Sequence, residues 1–197
     1  MDDIAEIKRA FVSLMNGELS KALRQNGLGY RVIYGVSWVQ LTELARGIPK
    51  SASLGRKLWK EREIRECRLL AGLVMPATEM TEEEPDRWIA DMRFSEEAFY
   101  TTSALFSRLK DRSSKAFKWT GRREEMFNLC GWLLMARLFT EGGKLQERSE
   151  NHFVDQAASV LTGRNGEVKR ACRNAVLKYS LIGKREYLRV KSLLQMP

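Results

Sequence analysis

The side chains best suited to chemistry in this sequence are the cations and aromatic rings that alternate between Arg108 and Arg123. This segment contains seven basic residues and one acidic residue, with Phe117 and Trp119 among the cations. Such cations can hold a nucleic-acid backbone while neighbouring rings stack on bases or sugars. A packed helix end that buries Trp119 is the alternative interpretation. The predicted nucleic-acid contacts in this segment are Lys115, Lys118, Trp119, Arg122 and Arg123.

A second basic segment runs from Leu161 to Pro197, with nine basic and two acidic residues. Helical spacing places many of these cations opposite the apolar stripe that begins with Val168 and Cys172. A basic helix face can follow DNA phosphates and release their counterions, although a solvated helix face would show the same pattern. The predicted phosphate contacts in this segment are Lys169, Arg170, Arg173, Lys178, Lys184 and Arg185.

The composition excludes several kinds of catalytic site. His152 is the single histidine, so neither a histidine metal site nor a histidine pair for acid–base catalysis can form. Cys67, Cys130 and Cys172 lie far apart, lack CxxC spacing and fall among apolar residues, which predicts buried core positions. The sequence also lacks a glycine-rich phosphate loop and the GxSxG and HExxH motifs. We therefore expect no metal and no organic cofactor.

The overall composition is that of a globular protein with a polyanionic partner. Of the 197 residues, 44% are hydrophobic and 30% are charged, and the net charge is +9. The longest apolar stretch, 126–136, is about half of the roughly 20 residues that span a bilayer, and the N-terminus lacks an apolar signal region. These features predict a soluble cytoplasmic protein of a bacterial-type cytosol or nucleoid, without membrane contacts.

Apolar spacing is helical along nearly the whole chain, which predicts an all-α fold. Ser37 with Gln40 and Thr81 with Glu84 have the spacing of helix-initiating capping boxes. Only the segment 30–34 has the character of a strand, and it lacks a hairpin partner. The predicted helices are 3–24, 37–47, 51–60, 62–75, 83–91, 95–109, 112–119, 124–139, 151–162, 166–182 and 184–194.

Short turns between helices of this length favour stacked antiparallel helix pairs, as in an α-solenoid or a bundle. The segment 126–139 is apolar on most of its faces, which predicts a central, buried helix. We expect a single domain over 1–197. No strict repeat is visible, so any repeats must be degenerate.

Several segments resemble the AlkD-type DNA alkylation repair family. Residues 34–48 (YGVSWVQLTELARGI) and 54–74 (LGRKLWKEREIRECRLLAGLV) resemble its N-terminal half. Residues 117–139 resemble its Lys-Trp helix pair, and 178–185 resemble its Ile-Gly-Lys-Arg turn. The resemblance implies a right-handed superhelix of degenerate HEAT/ARM-like helix pairs, with 1–25 as a helical cap. It also implies a basic concave face that curves around double-stranded DNA, alkylated or otherwise damaged.

The activity implied by this resemblance is hydrolysis of the glycosidic bond of N3- or N7-alkylated purines, as in a DNA-3-methyladenine/7-methylguanine-type glycosylase. An N7-alkylated purine is cationic and already a good leaving group, so an enzyme need not protonate it. A carboxylate can stabilise the oxocarbenium-like sugar, and aromatic faces complement the positive charge of the base. This chemistry requires neither a metal nor an organic cofactor.

The sequence departs from the family at the catalytic positions. The family's Trp-Asp-x-x-Asp motif aligns with Ser95 and Glu96, and Phe99 then stands where the resemblance places the catalytic aspartate. The family's arginine pair aligns with Asn128 and Leu129, and its C-terminal tryptophan falls within 174–177, where no tryptophan is present.

Two hypotheses of different classes follow. In the first, the chain is an AlkD-like DNA-binding protein, and any catalysis depends on Glu96 or Glu97 in place of the aspartate. Acidic residues in the first turn of a helix are also common because they complement the helix dipole. In the second, the chain is a non-catalytic helical-repeat scaffold that binds a protein partner.

Overall fold

The structure is a computed structural model, and it describes residues 4–163 and 166–195. Two short 3-10 helices, Ala77–Glu79 and Phe106–Arg108, accompany the α-helices. The α-helices are α1 (Ile4–Ser13), α2 (Gly17–Gln25), α3 (Trp38–Arg46), α4 (Ala52–Lys60), α5 (Arg65–Val74), α6 (Glu84–Asp91), α7 (Ser95–Ala104), α8 (Arg112–Thr120), α9 (Glu125–Thr140), α10 (Glu147–Thr162), α11 (Gly166–Ser180) and α12 (Lys184–Leu194).

The predicted all-α class is confirmed, since the described residues contain helices and no strand. The strand-like segment 30–34 forms one isolated parallel bridge, between Val32 and Ile64. The Val32 amide donates to the Glu63 carbonyl at 2.9 Å, and the backbone amide of Arg65 donates to the Val32 carbonyl at 3.2 Å. This bridge fastens an extended loop to the start of α5.

The N-terminal region consists of two helices, α1 and α2, so the prediction of one continuous helix over 3–24 was wrong. Its predicted first residue lies outside the described residues. Asn16 has an extended backbone, and its side chain accepts a hydrogen bond from the Leu19 amide, which starts α2 as a new helix. The Asn16 amide donates to the Tyr34 carbonyl at 2.9 Å. The turn before α2 is therefore held to the loop that precedes α3.

One of the two predicted capping boxes is confirmed. The Gln40 amide donates to the Ser37 hydroxyl, and the Ser37 amide donates to the Gln40 side chain, at the start of α3. The helix near Thr81 begins at Glu84 itself, so Glu84 is not in the third position that a capping box requires.

The chain divides into two compact units, Met1–Glu82 and Glu83–Pro197. In the first unit, α5 packs against α3 and α4, and α1 contacts α4. Every residue of α5 is buried, including the charged residues Arg65, Glu66 and Arg68. These charges have partners: Arg68 donates to the Trp59 carbonyl at 2.7 Å and lies over the Trp59 ring.

In the second unit, α7, α9 and α11 lie side by side with α9 in the middle. Helix α8 packs on α9, while α10 and α12 pack on α11. The prediction that the apolar helix is central is confirmed, because α9 buries residues such as Trp132, Leu134 and Met135. Across the described residues, no helix is both long enough and apolar enough to cross a membrane.

Candidate nucleic-acid interface

One side of the α7–α9–α11 layer forms a groove. An open cavity of about 440 Å³ lies at one end of it, and all three helices contribute side chains. Helix α9 supplies Leu129 and Leu133, four residues apart and therefore on the same helix face. The other lining residues are Ser95, Glu96, Phe99 and Tyr100 of α7 and Glu167, Arg170, Ala171 and Asn174 of α11.

The groove continues along α9 beyond this cavity. A second cavity of about 210 Å³ shares Phe99, Leu133 and Asn174 with the first and adds Arg137. A third, of about 420 Å³, contains Lys178. From Leu129 to Thr140 the groove follows about 16 Å of helix, which corresponds to about five base pairs at 3.4 Å each.

Phe99 lines the groove on α7 and is 56% exposed. Its ring contacts that of Tyr100 edge to face, with centroids 5.5 Å apart. Phe99 lines both the first and the second cavity, so its side chain lies where the two adjoin. The position that the family resemblance aligns with a catalytic aspartate therefore presents an aromatic ring.

The two candidate carboxylates on α7 have different surroundings. Glu96 lines the first cavity beside Phe99. Glu97 is fully buried, and its carboxylate accepts a hydrogen bond from the Arg93 amide at 2.7 Å, which caps the start of α7. Of the pair, Glu96 is placed to meet a ligand, and Glu97 holds the helix in position.

Positions that the resemblance aligned separately meet in this cavity. Phe99 of α7, Leu129 of α9 and Asn174 of α11 all line it. Asn128 has a different role: its side-chain amide donates to the Thr120 and Arg122 backbone carbonyls at 2.9 and 2.8 Å. These bonds satisfy carbonyls at the end of α8.

Comparison with known proteins supports the fold. No protein-family model and no curated protein matches the sequence. A solved structure described as "A new family of proteins related to the HEAT-like repeat DNA glycosylases with affinity for branched DNA structures" is similar, with a TM-score of 0.81 and 17% sequence identity. The similarity covers 96% of this chain and 79% of that one. The chain has a HEAT-like repeat fold.

Within this HEAT-like fold, α8 carries most of the first predicted basic segment and lies outside the groove. Trp119 is fully buried against Phe106, and its indole donates to Asp86 at 2.7 Å. Lys118 also binds Asp86, at 2.6 Å, and Lys115 is buried beside Asp111. The ring of Trp119 is therefore part of the core and is not presented for stacking on a base.

The remaining cations of that segment lie in the turn after α8. The Arg122 guanidinium lies 4.3 Å from the Phe127 ring centroid and donates to Glu124 at 3.1 Å. The hydrogen bond from Arg122 lowers the pKa of the Glu124 carboxyl to about 2. Arg123 is exposed. Neither arginine lines the groove cavities.

The C-terminal basic segment is divided between the groove and other surfaces. Arg170 and Lys178 line the groove, whereas Lys169 and Arg173 are half-buried elsewhere on α11. Arg185 of α12 donates to both oxygens of the buried Glu150, at 2.9 and 2.7 Å. Lys184, at the start of α12, is exposed.

Arg137 and Lys144 are groove cations that the count of basic segments missed. Arg137 lies within the apolar helix α9, where a count of neighbouring charges finds nothing unusual. Its spacing is the available signal, because Arg137 follows Leu129 and Leu133 at intervals of four residues. Its guanidinium donates to Glu141 at 2.7 Å and remains 51% exposed.

We expect the Asp86→Asn variant to lose about 1–3 kcal/mol of unfolding free energy at pH 7. Burial of Asp86 raises its pKa, but hydrogen bonds from Lys118 and Trp119 outweigh burial and leave the pKa below its usual value. A depressed pKa stabilises the fold above the unfolded pKa, about 3.9, and this stabilisation is lost as the pH falls through the folded pKa.

Urea unfolding at pH 7 and pH 3 measures this effect. The difference in unfolding free energy between wild type and Asp86→Asn should shrink at pH 3. The exposed Asp155 supplies the control, since Asp155→Asn should change stability by less than about 0.5 kcal/mol at either pH. Equal losses in the two variants at pH 7 would show that Asp86 does not anchor α8.

Proposed function

We propose that this chain is a DNA-binding protein that holds DNA in the α7–α9–α11 groove, binds branched DNA more tightly than linear duplex, and does not excise bases. The observation that carries the proposal is the set of cations along one groove, Arg137, Lys144, Arg170 and Lys178. The similar solved protein, with the same fold, is described as having affinity for branched DNA.

The charges suit contact with phosphates. Arg170 is 76% exposed at its side chain, and its ion pair with Glu167 is long, at 3.5 Å. An exposed ion pair of this kind contributes little to stability, so the guanidinium can turn to a phosphate at small cost. Arg137 and Lys178 continue the positive charge along the groove, which gives the backbone of one strand several successive partners.

The side chains at the cavity support the absence of base excision. Stabilisation of an oxocarbenium-like sugar requires a carboxylate at the position that the resemblance assigns, and Phe99 occupies it. Glu97 is committed to the Arg93 amide.

Excision by Glu96 is the second candidate function, and one observation favours it. Glu96 and Glu167 share the cavity with the rings of Phe99 and Tyr100, a lining that suits a cationic base.

Fluorescence anisotropy with a labelled four-way junction and a linear duplex of matched sequence tests the binding. We expect tighter binding of the junction, and affinity for both DNAs should fall as salt rises. Affinity that does not change with salt, or no binding at all, would contradict the proposal and favour a scaffold for a protein partner.

Release of methylated purines from alkylated DNA tests the chemistry. We expect no release by the wild type. Release by the wild type that is lost in Glu96→Gln would establish excision by Glu96 and overturn the non-catalytic part of the proposal. Glu97→Gln is a less suitable control because it also disturbs the cap of α7.

A further inference from the structure

The exposure of Phe99 is not explained by packing. Its neighbour in the groove, Leu129, is 5% exposed, and Ala98, the residue before it on α7, is fully buried. A large apolar side chain at 56% exposure loses the free energy that burial would supply. Phe99 is not isolated, because Tyr100, Leu129 and Leu133 line the same cavity, and a contiguous apolar patch rimmed by polar residues is typical of a binding site.

The helix that carries Phe99 is fixed at its start. Phe99 lies in the second turn of α7, and the buried Glu97 carboxylate fixes the start of that helix. Tyr100 contacts the ring at an interplanar angle of 89°, and Phe99 keeps 56% of its surface accessible to a ligand. The ring borders two adjoining cavities, so there is open space beside it in which a flat ligand can stack.

The polar groups around the ring fit a DNA base and its phosphates. Glu96 and Asn174 can bond the donors and acceptors on the edge of a base. Arg170 lines the first cavity and Arg137 the second, and Phe99 lines both, so these guanidinium groups can contact the phosphates that flank a base at Phe99. An aromatic surface between cations is typical of sites that stack unpaired bases.

We propose that Phe99 is the stacking surface for one unpaired base at a DNA branch point, and that this contact supplies the preference for branched over linear DNA. This inference rests on the proposed function. In a continuous duplex every base is already stacked, and extruding one costs a few kcal/mol. At a branch point an unpaired base is available at much lower cost, so the ring contributes only there.

Removal of the ring separates this role from general DNA binding. Stacking on an aromatic side chain is worth about 1–3 kcal/mol per base, so Phe99→Ala should weaken binding of a junction that carries one unpaired nucleotide by roughly 5- to 150-fold. Affinity for linear duplex should change by less than about twofold, and far-UV circular dichroism should be unchanged because the side chain is exposed.

Phe99→Trp provides a rescue and a direct signal. It should restore the preference for the junction, and its indole should quench 2-aminopurine at the unpaired position but not within a duplex arm. Equal weakening of both DNAs in Phe99→Ala, or no weakening of either, would overturn the inference while salt-sensitive duplex binding still supports the proposed function. No DNA binding by the wild type would overturn both.

Discussion

Replacement of Arg137, Arg170 and Lys178 together by glutamate is expected to weaken DNA binding by at least about a hundredfold near 0.1 M salt. Each phosphate contact contributes about 0.9 to the slope of log affinity against log salt. Three contacts therefore supply about 2.7 logarithmic units of affinity at 0.1 M relative to 1 M, and the introduced carboxylates add repulsion. Anisotropy titration with a labelled junction measures the loss.

The matched control has the same change in net charge outside the groove. Arg123, Lys184 and Lys191 are exposed and do not line the groove cavities. Their joint replacement by glutamate should weaken binding by less than about fivefold, since only the long-range field changes. Equal losses in the two triple variants would show that binding follows net charge and does not involve this groove.

Glu66→Ala is expected to lower the unfolding free energy by about 3–5 kcal/mol, because it leaves a buried cation without its carboxylate. Glu66 is fully buried on α5, and its carboxylate accepts hydrogen bonds from the amides of Tyr34, Gly35 and Val36 at 3.1, 3.0 and 3.3 Å. It also accepts from the buried Arg65 at 3.2 Å. One carboxylate thus holds the whole turn that precedes α3.

Thermal and urea unfolding test this role, with Glu66→Gln as the graded variant. The glutamine keeps the shape and one acceptor oxygen, so the unfolding free energy of Glu66→Gln should lie between those of wild type and Glu66→Ala. Gly35→Ala should also be strongly destabilising, since φ is +77° and a Cβ would lie 2.1 Å from the Asn16 carbonyl oxygen. A loss below about 1 kcal/mol in Glu66→Ala would contradict the proposed role of this carboxylate.

The helices could be predicted from the sequence because each helix buries one face, and the apolar residues of that face recur at the helical period. The central position of α9 follows from its apolar faces. The break between α1 and α2 was missed because Phe11, Leu14 and Met15 keep the apolar spacing of one continuous helix, although α1 ends at Ser13. The break depends on Asn16 and on the hydrogen bond that the Asn16 amide donates to the Tyr34 carbonyl.

The site was less predictable, because linear charge segments do not show which helix layer they occupy. Trp119 was expected to stack on a base, yet its indole binds Asp86, which lies 33 residues away. Arg137 was missed because its helix is otherwise apolar. Of the positions aligned with the family's catalytic residues, Phe99, Leu129 and Asn174 line one cavity, because helix order and spacing fix which faces point into the groove.

The most direct test of groove binding is the slope of log association constant against log salt concentration. Wild type and the Arg137/Arg170/Lys178 glutamate variant are measured with the same junction. The slope should become shallower by about 2–3 in the variant, because each lost phosphate contact removes about 0.9. An unchanged slope would contradict the claim that these three side chains bind the DNA backbone.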